Sequence, residues 1–253
     1  MPESIEETGK GRVFGQRVNR TEDAGLLTGR GRFVDDIHLP ETAQAVFARS
    51  PHPHALIKSI DGDTARAAPG VLAVHTLDDL KPYLVATRLP ISTADPDQPS
   101  HSAPGVLAGP EVCHVGEAIA VVIAETRHQA EDAAALIQID YEILPSVSDC
   151  RDALAPDAPP VHLSRENNLS LTRSVDFGDI DAAFSDATHV FQEKLWQHKG
   201  AAHSIECRGV LARYEALDDR ITVWSSTQVP HRVQGVIAEL LGLDDLQVRV
   251  IAP

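Results

Sequence analysis

The stretch GEAIAVVIAETRHQAEDAAALIQIDYEILP (116–145) contains three segments with different hydrophobic patterns. Residues 117–125 form a nearly continuous apolar run of strand length, which is typical of a strand buried on both faces. Residues 126–137 are rich in alanine and begin at Thr126, a favourable N-cap, so they predict a helix. Residues 138–144 alternate apolar and polar side chains and predict a second strand. A strand, a helix and a strand in succession indicate an α/β layer structure.

The same pattern extends toward the N-terminus, where short strands alternate with short helices. Strands are predicted at 44–50, 55–61 and 71–76, a helix at 63–70 and a helical turn at 77–83. Residues 85–110 are rich in Pro, Ser, Asp and Gly without periodicity, and long loops of this kind are usually functional or interfacial. We therefore expect one α/β domain over residues 20–150, preceded by a polar, flexible arm at residues 1–19.

A second region follows a proline-rich linker, residues 151–166, and covers residues 167–253. It predicts a helix at 177–187, strands at 188–197, 207–216, 219–227 and 247–253, and a helix at 230–242. Pro230 suits the first turn of the last helix and Gly242 suits its C-terminal end. Because the last predicted strand reaches the final residue, we expect this region to be incomplete, its remainder being either supplied by another polypeptide or lost by cleavage or truncation.

Composition excludes several classes of protein. The 253 residues include 22 Lys and Arg against 37 Asp and Glu, a formal net charge of −15, which disfavours general binding of nucleic acids. No run of 18 apolar residues occurs, so no membrane insertion is expected. Cys113, Cys150 and Cys207 are too far apart for an iron–sulfur cluster or a cysteine-based zinc site within this chain. Sparse cysteines fit a reducing compartment, so we expect a cytoplasmic protein.

The segment WSSTQVPH (224–231) is the sharpest candidate site, because a predicted strand passes there directly into a predicted helix. The first turn of a helix presents unpaired N–H groups, which suit an anionic or oxo ligand. The amide of Gln228 could donate to such an oxygen. The alternative is that the serines and threonine only cap the helix and that Gln228 is a solvated turn residue.

A second polar segment, HKGAAHSIECRG (198–209), contains residue types that bind metals. Their spacing does not correspond to one face of a helix. His198, His203 and Glu206 occur as H-x₄-H-x-x-E, which is not a recognised metal-binding pattern. The small residues favour a tight crossing of backbones instead. His52 and His54 of SPHPHA (50–55) flank Pro53, and this proline-rich context favours a rigid extended turn. No metal-ligating set and no catalytic residue is therefore assigned.

Several of these segments together resemble the molybdopterin-binding large subunit of the xanthine dehydrogenase and aldehyde oxidase family. The resemblance is strongest to bacterial carbon monoxide dehydrogenase-type large subunits, and it runs from about residue 12 to the last residue in the family's order. The matching segments are LLTGRGRFVDDIHLP (26–40), ARSPHPHALIKSID (48–61), residues 116–145, FGDIDAAF (177–184) and WSSTQVPHRVQGVIAELLGLDDLQVRVIAP (224–253).

The resemblance implies an α/β hammerhead domain at 20–150 and the first part of a molybdopterin-binding α+β domain at 167–253. It implies the N-terminal part of a molybdenum hydroxylase, which places oxygen from water on the carbon of a small-molecule substrate. The implied cofactor is molybdenum-molybdopterin, in the cytosine dinucleotide form. Electrons would pass to iron–sulfur clusters on a small subunit and FAD on a medium subunit, in a doubled heteromer.

The resemblance also assigns a role to Gln228, which occupies the family position whose amide hydrogen-bonds the oxo ligand of molybdenum. Thr227 beside it is assigned to the same cofactor-binding set. Many relatives read P-M-E-P-R-G where this chain has SIECRG (204–209), so Ile205 and Cys207 depart from the family pattern. The alternative to an enzyme part is a non-catalytic assembly or partner-docking module derived from such a subunit.

Overall fold

The computed structural model describes residues 15, 17–90, 103–170, 172, 174–197, 200 and 203–253. Most of the predicted arm (1–19) and part of the 85–110 loop lie outside the described residues. The strands are β1 (Gln44–Arg49), β2 (Ala55–Asp61), β3 (Val71–Thr76), β4 (Glu111–Val112), β5 (Ala118–Ala124), β6 (Gln138–Ile143), β7 (Val210–Glu215), β8 (Arg220–Ser225) and β9 (Val248–Ile251). The helices are α1 (Asp23–Leu27), α2 (Asp63–Arg66), α3 (Leu77–Leu80), α4 (Arg127–Ala135), α5 (Ile180–Asp186) and α6 (Pro230–Leu241).

The first region contains two antiparallel sheets of three strands each. In one sheet β5 lies between β1 and β3, and in the other β2 lies between β4 and β6. The strand–helix–strand prediction for residues 116–145 is confirmed for its elements. Helix α4 nevertheless connects strands of two different sheets, so it is not the crossover of a parallel pair.

Strand β5 is the centre of this region because both of its faces are buried. Val122 and Ala124 pack in a cluster with alanines of α2 and α4. Ile119, which points to the opposite face, packs with Ala55 and Val112 of the second sheet. Successive side chains of a strand alternate between faces, so burial on both sides requires the nearly unbroken apolar run.

Helix α4 begins where the sequence predicts, at the N-cap Thr126. The Thr126 hydroxyl accepts a hydrogen bond from the main-chain N–H of Gln129 at 3.3 Å, and the Gln129 side-chain oxygen accepts from the N–H of Thr126 at 3.0 Å. This reciprocal pair satisfies N–H groups that the first helical turn leaves free. Ala130 and Ala133 are fully buried, so the small side chains let the helix lie close to β5.

The second region contains a sheet in which β8 is central, antiparallel to β7 and parallel to β9. Helix α6 connects the parallel pair, with Pro230 in its first turn and Gly242 as C-cap at φ 66°, as predicted. At 12 residues α6 is too short to cross a bilayer, and no other helix in the described part of the chain is long and apolar enough to do so.

The prediction of a strand at 188–197 is wrong, because these residues have no regular secondary structure and are exposed. Phe191 and Leu195 have exposed fractions of 91% and 87%. A strand is stable only when a neighbour accepts and donates its main-chain hydrogen bonds, and no described residue pairs with this segment. The other predicted strands of this region are present but shorter, and β7 begins at Val210 rather than at residue 207.

The predicted linker has internal order, which Asn168 provides. The side-chain oxygen of Asn168 accepts a hydrogen bond from the N–H of Val161 at 2.7 Å. Its amide nitrogen donates to the carbonyl oxygens of Ala153 and Pro159, both at 3.0 Å. One side chain therefore holds several turns of the linker together.

Candidate functional site

The candidate site lies in the loop between β8 and α6, residues 226–229, and Ser226 anchors that loop. The Ser226 hydroxyl accepts a hydrogen bond from the N–H of Gly209 at 2.8 Å, and the N–H of Ser226 donates to the carbonyl oxygen of Gly209 at 3.1 Å. Ser226 is thus occupied in joining the loop to the SIECRG segment. It has a structural role and does not cap the helix.

Thr227 and Gln228 are the two predicted cofactor-binding residues. Their side chains differ in whether they already hydrogen-bond to the protein. The Thr227 hydroxyl oxygen accepts a hydrogen bond from the N–H of Val229 at 3.2 Å and is half-buried. Gln228 is exposed, and its side chain has no hydrogen-bond partner among the described residues. Its amide N–H₂ is therefore free to donate to a ligand oxygen.

The first turn of α6 lies directly after Gln228 and is not capped by a side chain. Its N-cap is Val229, which has no polar side-chain atom, and Pro230 at the first helical position has no N–H. Main-chain N–H groups of this turn consequently lack a capping acceptor. A free amide and an uncapped helix start together form a donor-rich surface, which suits the oxygen atoms of an anionic or oxo ligand.

Glu206 connects the SIECRG segment to the first region. Its carboxylate oxygen Oε1 accepts a hydrogen bond from the main-chain N–H of the buried Val34 at 3.1 Å. A Cβ placed on Gly209 would lie 3.0 Å from the Cβ of Val34, so the side chain of Val34 packs closely against the main chain at Gly209. Glu206 is an anchor for Val34, a partner that local spacing could not reveal.

The metal alternative at 198–209 receives no support from the described residues of that segment. Glu206 is committed to Val34, and the exposed His203 belongs to no group of three metal-ligating side chains in the described part of the chain. His198 lies outside the described residues. At Gly209 the segment packs closely against the side chain of Val34, whereas a Cβ on Gly200 would meet nothing within 4 Å, so the expected tight crossing of backbones stays a prediction.

A separate cluster, formed by Glu111, Cys113 and His162, was not anticipated from the sequence. The Cys113 sulfur lies 3.2 Å from Nδ1 of His162, and one potential ligand atom from each of the three residues lies within 4.8 Å of the others. Glu111 and Cys113 follow the 85–110 loop, whereas His162 belongs to the linker. The separation of 49 positions between Cys113 and His162 left no spacing signal.

Neighbouring groups perturb the titration of two members of this cluster. Burial, reinforced by the carboxylates of Glu111 and Glu117, raises the pKa of the Cys113 thiol from 9.0 to about 12. Burial also lowers the pKa of His162 below its ordinary value of 6.5. Without a bound cation, both groups are therefore neutral at pH 7.

His54 extends the cluster on its buried side, with an exposed fraction of 3%. Its Nδ1 lies 2.8 Å from the carbonyl oxygen of Pro145, and its Nε2 lies 2.8 Å from Oε1 of Glu111. A carbonyl oxygen only accepts, so Nδ1 donates there. His54 and Glu111 form a buried hydrogen-bonded pair that fixes both side chains.

Comparison with known families matches both regions of the chain. Residues 28–145 match the family described as "Aldehyde oxidase and xanthine dehydrogenase, a/b hammerhead domain". Residues 161–253 match the family described as "Molybdopterin cofactor-binding domain". The chain carries, in this order, the two domains of the N-terminal portion of the molybdopterin-binding large subunits of the xanthine dehydrogenase and aldehyde oxidase family. The predicted family and the predicted α/β hammerhead followed by an α+β cofactor domain are thereby confirmed.

Individual members of this family are similar over nearly the whole chain. The nicotine 6-hydroxylase large subunit of Paenarthrobacter nicotinovorans is 39% identical over 241 residues, which are 95% of this chain and 29% of the relative. The carbon monoxide dehydrogenase large chain of Afipia carboxidovorans is 34% identical over 266 aligned positions, which are 100% of this chain and 32% of the relative. Both are large subunits of molybdenum oxidoreductases, the enzyme class predicted for this chain.

A solved structure shows the same fold. Quinoline 2-oxidoreductase from Pseudomonas putida 86 superimposes with a TM-score of 0.80 at 31% identity, covering 96% of this chain and 30% of that one. The chain thus spans about 30% of the length of the relatives that it matches. The two family matches leave residues 146–160 between them, close to the predicted linker (151–166), whose limits stay a prediction.

Proposed function

We propose that this chain is the N-terminal part of the large subunit of a molybdenum hydroxylase, which oxidises a small-molecule substrate with oxygen from water. The hammerhead and cofactor-binding matches in this order support the proposal. When bound, molybdenum-molybdopterin, for which we propose the cytosine dinucleotide form, supplies a metal that accepts two electrons.

The single observation that carries the site proposal is the free amide of Gln228. It is exposed, has no partner among the described residues, and follows the central strand β8 directly. We propose that this amide donates to the oxo ligand of the metal and so tunes the basicity of that oxygen. Thr227 fixes the loop through Val229, and Ser226 fixes it through Gly209, so the amide is presented from a braced position.

We propose three protein partners: the C-terminal molybdopterin-binding portion, an FAD-binding medium subunit and an iron–sulfur small subunit, assembled as a dimer of heteromers. Two relatives carry names of subunits, one of them "6-hydroxypseudooxynicotine dehydrogenase complex subunit gamma". The three cysteines of this chain are free and too far apart in sequence to ligate a cluster together. Their reduced state agrees with the cytoplasmic location that we propose.

The exposed segment 188–197 supports the proposal that further polypeptide packs on this chain. Phe191 and Leu195 are almost fully exposed, and a strand-like alternation without a strand partner is the pattern of a segment that pairs elsewhere. We propose that the C-terminal molybdopterin-binding portion covers it.

Replacement of Gln228 by alanine in the assembled complex tests the site. Loss of a hydrogen bond to a metal ligand typically costs about 10–100-fold in activity or metal affinity, so turnover should fall by that factor. The molybdenum content should stay near that of the parent complex. Gln44→Ala, the same chemical change at an exposed position of β1, is the matched control and should leave turnover unchanged. Unchanged turnover in Gln228→Ala would remove this residue from the site.

Native mass spectrometry of the complex purified through this chain tests the enzyme against the alternative of a docking or assembly module. The proposal requires molybdenum, iron, FAD and the partner subunits in fixed ratios, with activity toward a compound from a panel of nicotine, quinoline, carbon monoxide and aldehydes. Stable complexes that contain the partners, lack molybdenum and show no turnover would favour the docking or assembly module.

A further inference from the structure

We propose that Glu111, Cys113 and His162 bind one zinc-type divalent cation that joins the hammerhead region to the cofactor-binding region. The three side chains offer a carboxylate oxygen, a thiolate sulfur and an imidazole nitrogen, and these atoms lie within 4.8 Å of one another. Three protein ligands with one open position for water are a common arrangement for zinc. This site is independent of the proposed molybdenum chemistry.

The donor atoms are close to the separation that a tetrahedral cation imposes. Zinc lies about 2.3 Å from a thiolate sulfur and about 2.0–2.1 Å from an imidazole nitrogen, which places two such ligands about 3.5 Å apart. The Cys113 sulfur and Nδ1 of His162 lie 3.2 Å apart. A shift of a few tenths of an ångström, with release of the Cys113 thiol proton to solvent, therefore converts the hydrogen-bonded pair into a pair of ligands.

Surrounding groups already hold the ligands in place. The N–H of Cys113 donates to Oε2 of Glu117 at 2.6 Å, which fixes the backbone at the thiol. Oε1 of Glu111 accepts hydrogen bonds from Nε2 of His54 at 2.8 Å and from the N–H of Leu163 at 2.9 Å. Outer partners of this kind orient ligating carboxylates and are a usual feature of metal sites.

The type of cation follows from the donor set. Sulfur and nitrogen donors select zinc and similar borderline metals, whereas magnesium and calcium prefer oxygen donors alone. All three residues are half-buried, so a cation would be partly shielded from solvent and still reachable by it.

The position of the cluster gives the cation a structural role. Glu111 and Cys113 belong to the part of the chain that matches the hammerhead family, and His162 belongs to the part that matches the cofactor-binding family. Binding a cation between them would hold the linker against the first region, and the free energy of metal binding would stabilise that junction.

Cobalt titration of the metal-free 253-residue chain tests the proposal. The titration uses a chain in which the exposed Cys150 and Cys207 are replaced by serine, so that Cys113 is the remaining thiol. We expect thiolate-to-cobalt charge-transfer absorption that saturates at one ion per chain and is abolished by one equivalent of zinc. A folded chain, verified by circular dichroism, that shows no saturable absorption would overturn the proposal.

Variants of the cluster separate a specific site from adventitious binding. Cys113→Ser should abolish the absorption, and Glu111→Gln and His162→Gln should each weaken zinc binding by more than about tenfold. His54→Gln acts through Glu111 and should weaken it by about 10–100-fold, the usual effect of an outer partner. Affinities unchanged in the folded His162→Gln and Glu111→Gln chains would overturn the site even if Cys113→Ser fails to fold.

Discussion

The carboxylate of Glu206 accepts a hydrogen bond from the main-chain N–H of Val34 at 3.1 Å, although 172 positions separate the two residues. Val34 is buried, so its N–H has no access to bulk water as an alternative partner. One carboxylate therefore anchors the SIECRG segment beside the candidate site to the first region.

Replacement of Glu206 by alanine should lower the free energy of unfolding by about 1–3 kcal/mol, because a buried N–H is left without an acceptor. Glu206→Gln retains an acceptor oxygen and should lose less than half of that amount. Urea unfolding monitored by fluorescence measures both. Glu239→Ala, on the exposed side of α6, is the control and should stay within about 0.5 kcal/mol. Equal losses in Glu206→Ala and Glu239→Ala would contradict the anchoring role.

The approach of Gly209 to Val34 predicts that even a methyl group is too large at position 209. A Cβ there would lie 3.0 Å from the Cβ and 3.2 Å from Cγ1 of Val34, closer than ordinary van der Waals contact. Gly209→Ala should therefore destabilise the chain by about 1–3 kcal/mol.

A double-mutant cycle with Val34→Ala identifies the cause of that loss. Truncation of Val34 removes the atom Cγ1 from the clash. The loss of stability in the double variant should therefore be smaller than the sum of the two single losses, by at least about 0.5 kcal/mol. Additive effects would show that Cγ1 of Val34 does not cause the loss, because the Cβ of residue 34, at 3.0 Å, remains in the double variant.

Cys113 should resist alkylation in the folded, metal-free chain. Its thiol pKa is raised to about 12, so roughly one molecule in a thousand carries the thiolate at pH 9, and the thiolate is the nucleophile. With a chelator present, iodoacetamide should modify the exposed Cys150 and Cys207 at least about tenfold faster, as peptide mass spectrometry can measure. Comparable rates at all three cysteines below pH 9 would contradict the raised pKa.

The same shift has a consequence for stability. The pKa in the folded chain is raised above the ordinary value of 9.0, so the folded state holds the thiol proton more tightly. This contribution to stability is complete below about pH 9 and is lost as the pH rises toward 12. Cys113→Ser should therefore show a weaker decline in stability over that range.

Features that depend on a few neighbouring residues were predictable from the sequence. The N-cap Thr126 and the pair Pro230 and Gly242 determine helix ends through local hydrogen bonds and backbone angles, and the structure has them where predicted. The prediction of a strand at 188–197 was wrong because the alternation of apolar and polar residues indicates which side chains share a face but not whether a neighbouring strand is present. For the same reason, the order of the strands along the chain does not determine which strands share a sheet. Strands β5 and β6 are consecutive and lie in different sheets.

The candidate site shows the same division between local and distant information. Gln228 is predicted from the sequence alone because its strand-to-helix loop is visible within eight residues. The contact of Glu206 with Val34 and the cluster of Glu111, Cys113 and His162 depend on how separate segments fold together. Such contacts cannot be predicted from the spacing of residues along the chain, so they become visible only in the folded structure.

Ile119 should be the most costly residue of β5 to truncate. It is fully buried between the two sheets of the first region and is the largest side chain in its cluster with Ala55, Ala108 and Val112. Replacement by alanine removes three methyl or methylene carbons and leaves a cavity, so the free energy of unfolding should fall by about 2–5 kcal/mol. Leu72→Ala, at a side chain that is 59% exposed on β3, is the matched control and should lose less than about 1 kcal/mol. Urea denaturation midpoints with unchanged slopes would give both values, and a similar loss in the two variants would show that β5 is not the shared centre of both layers.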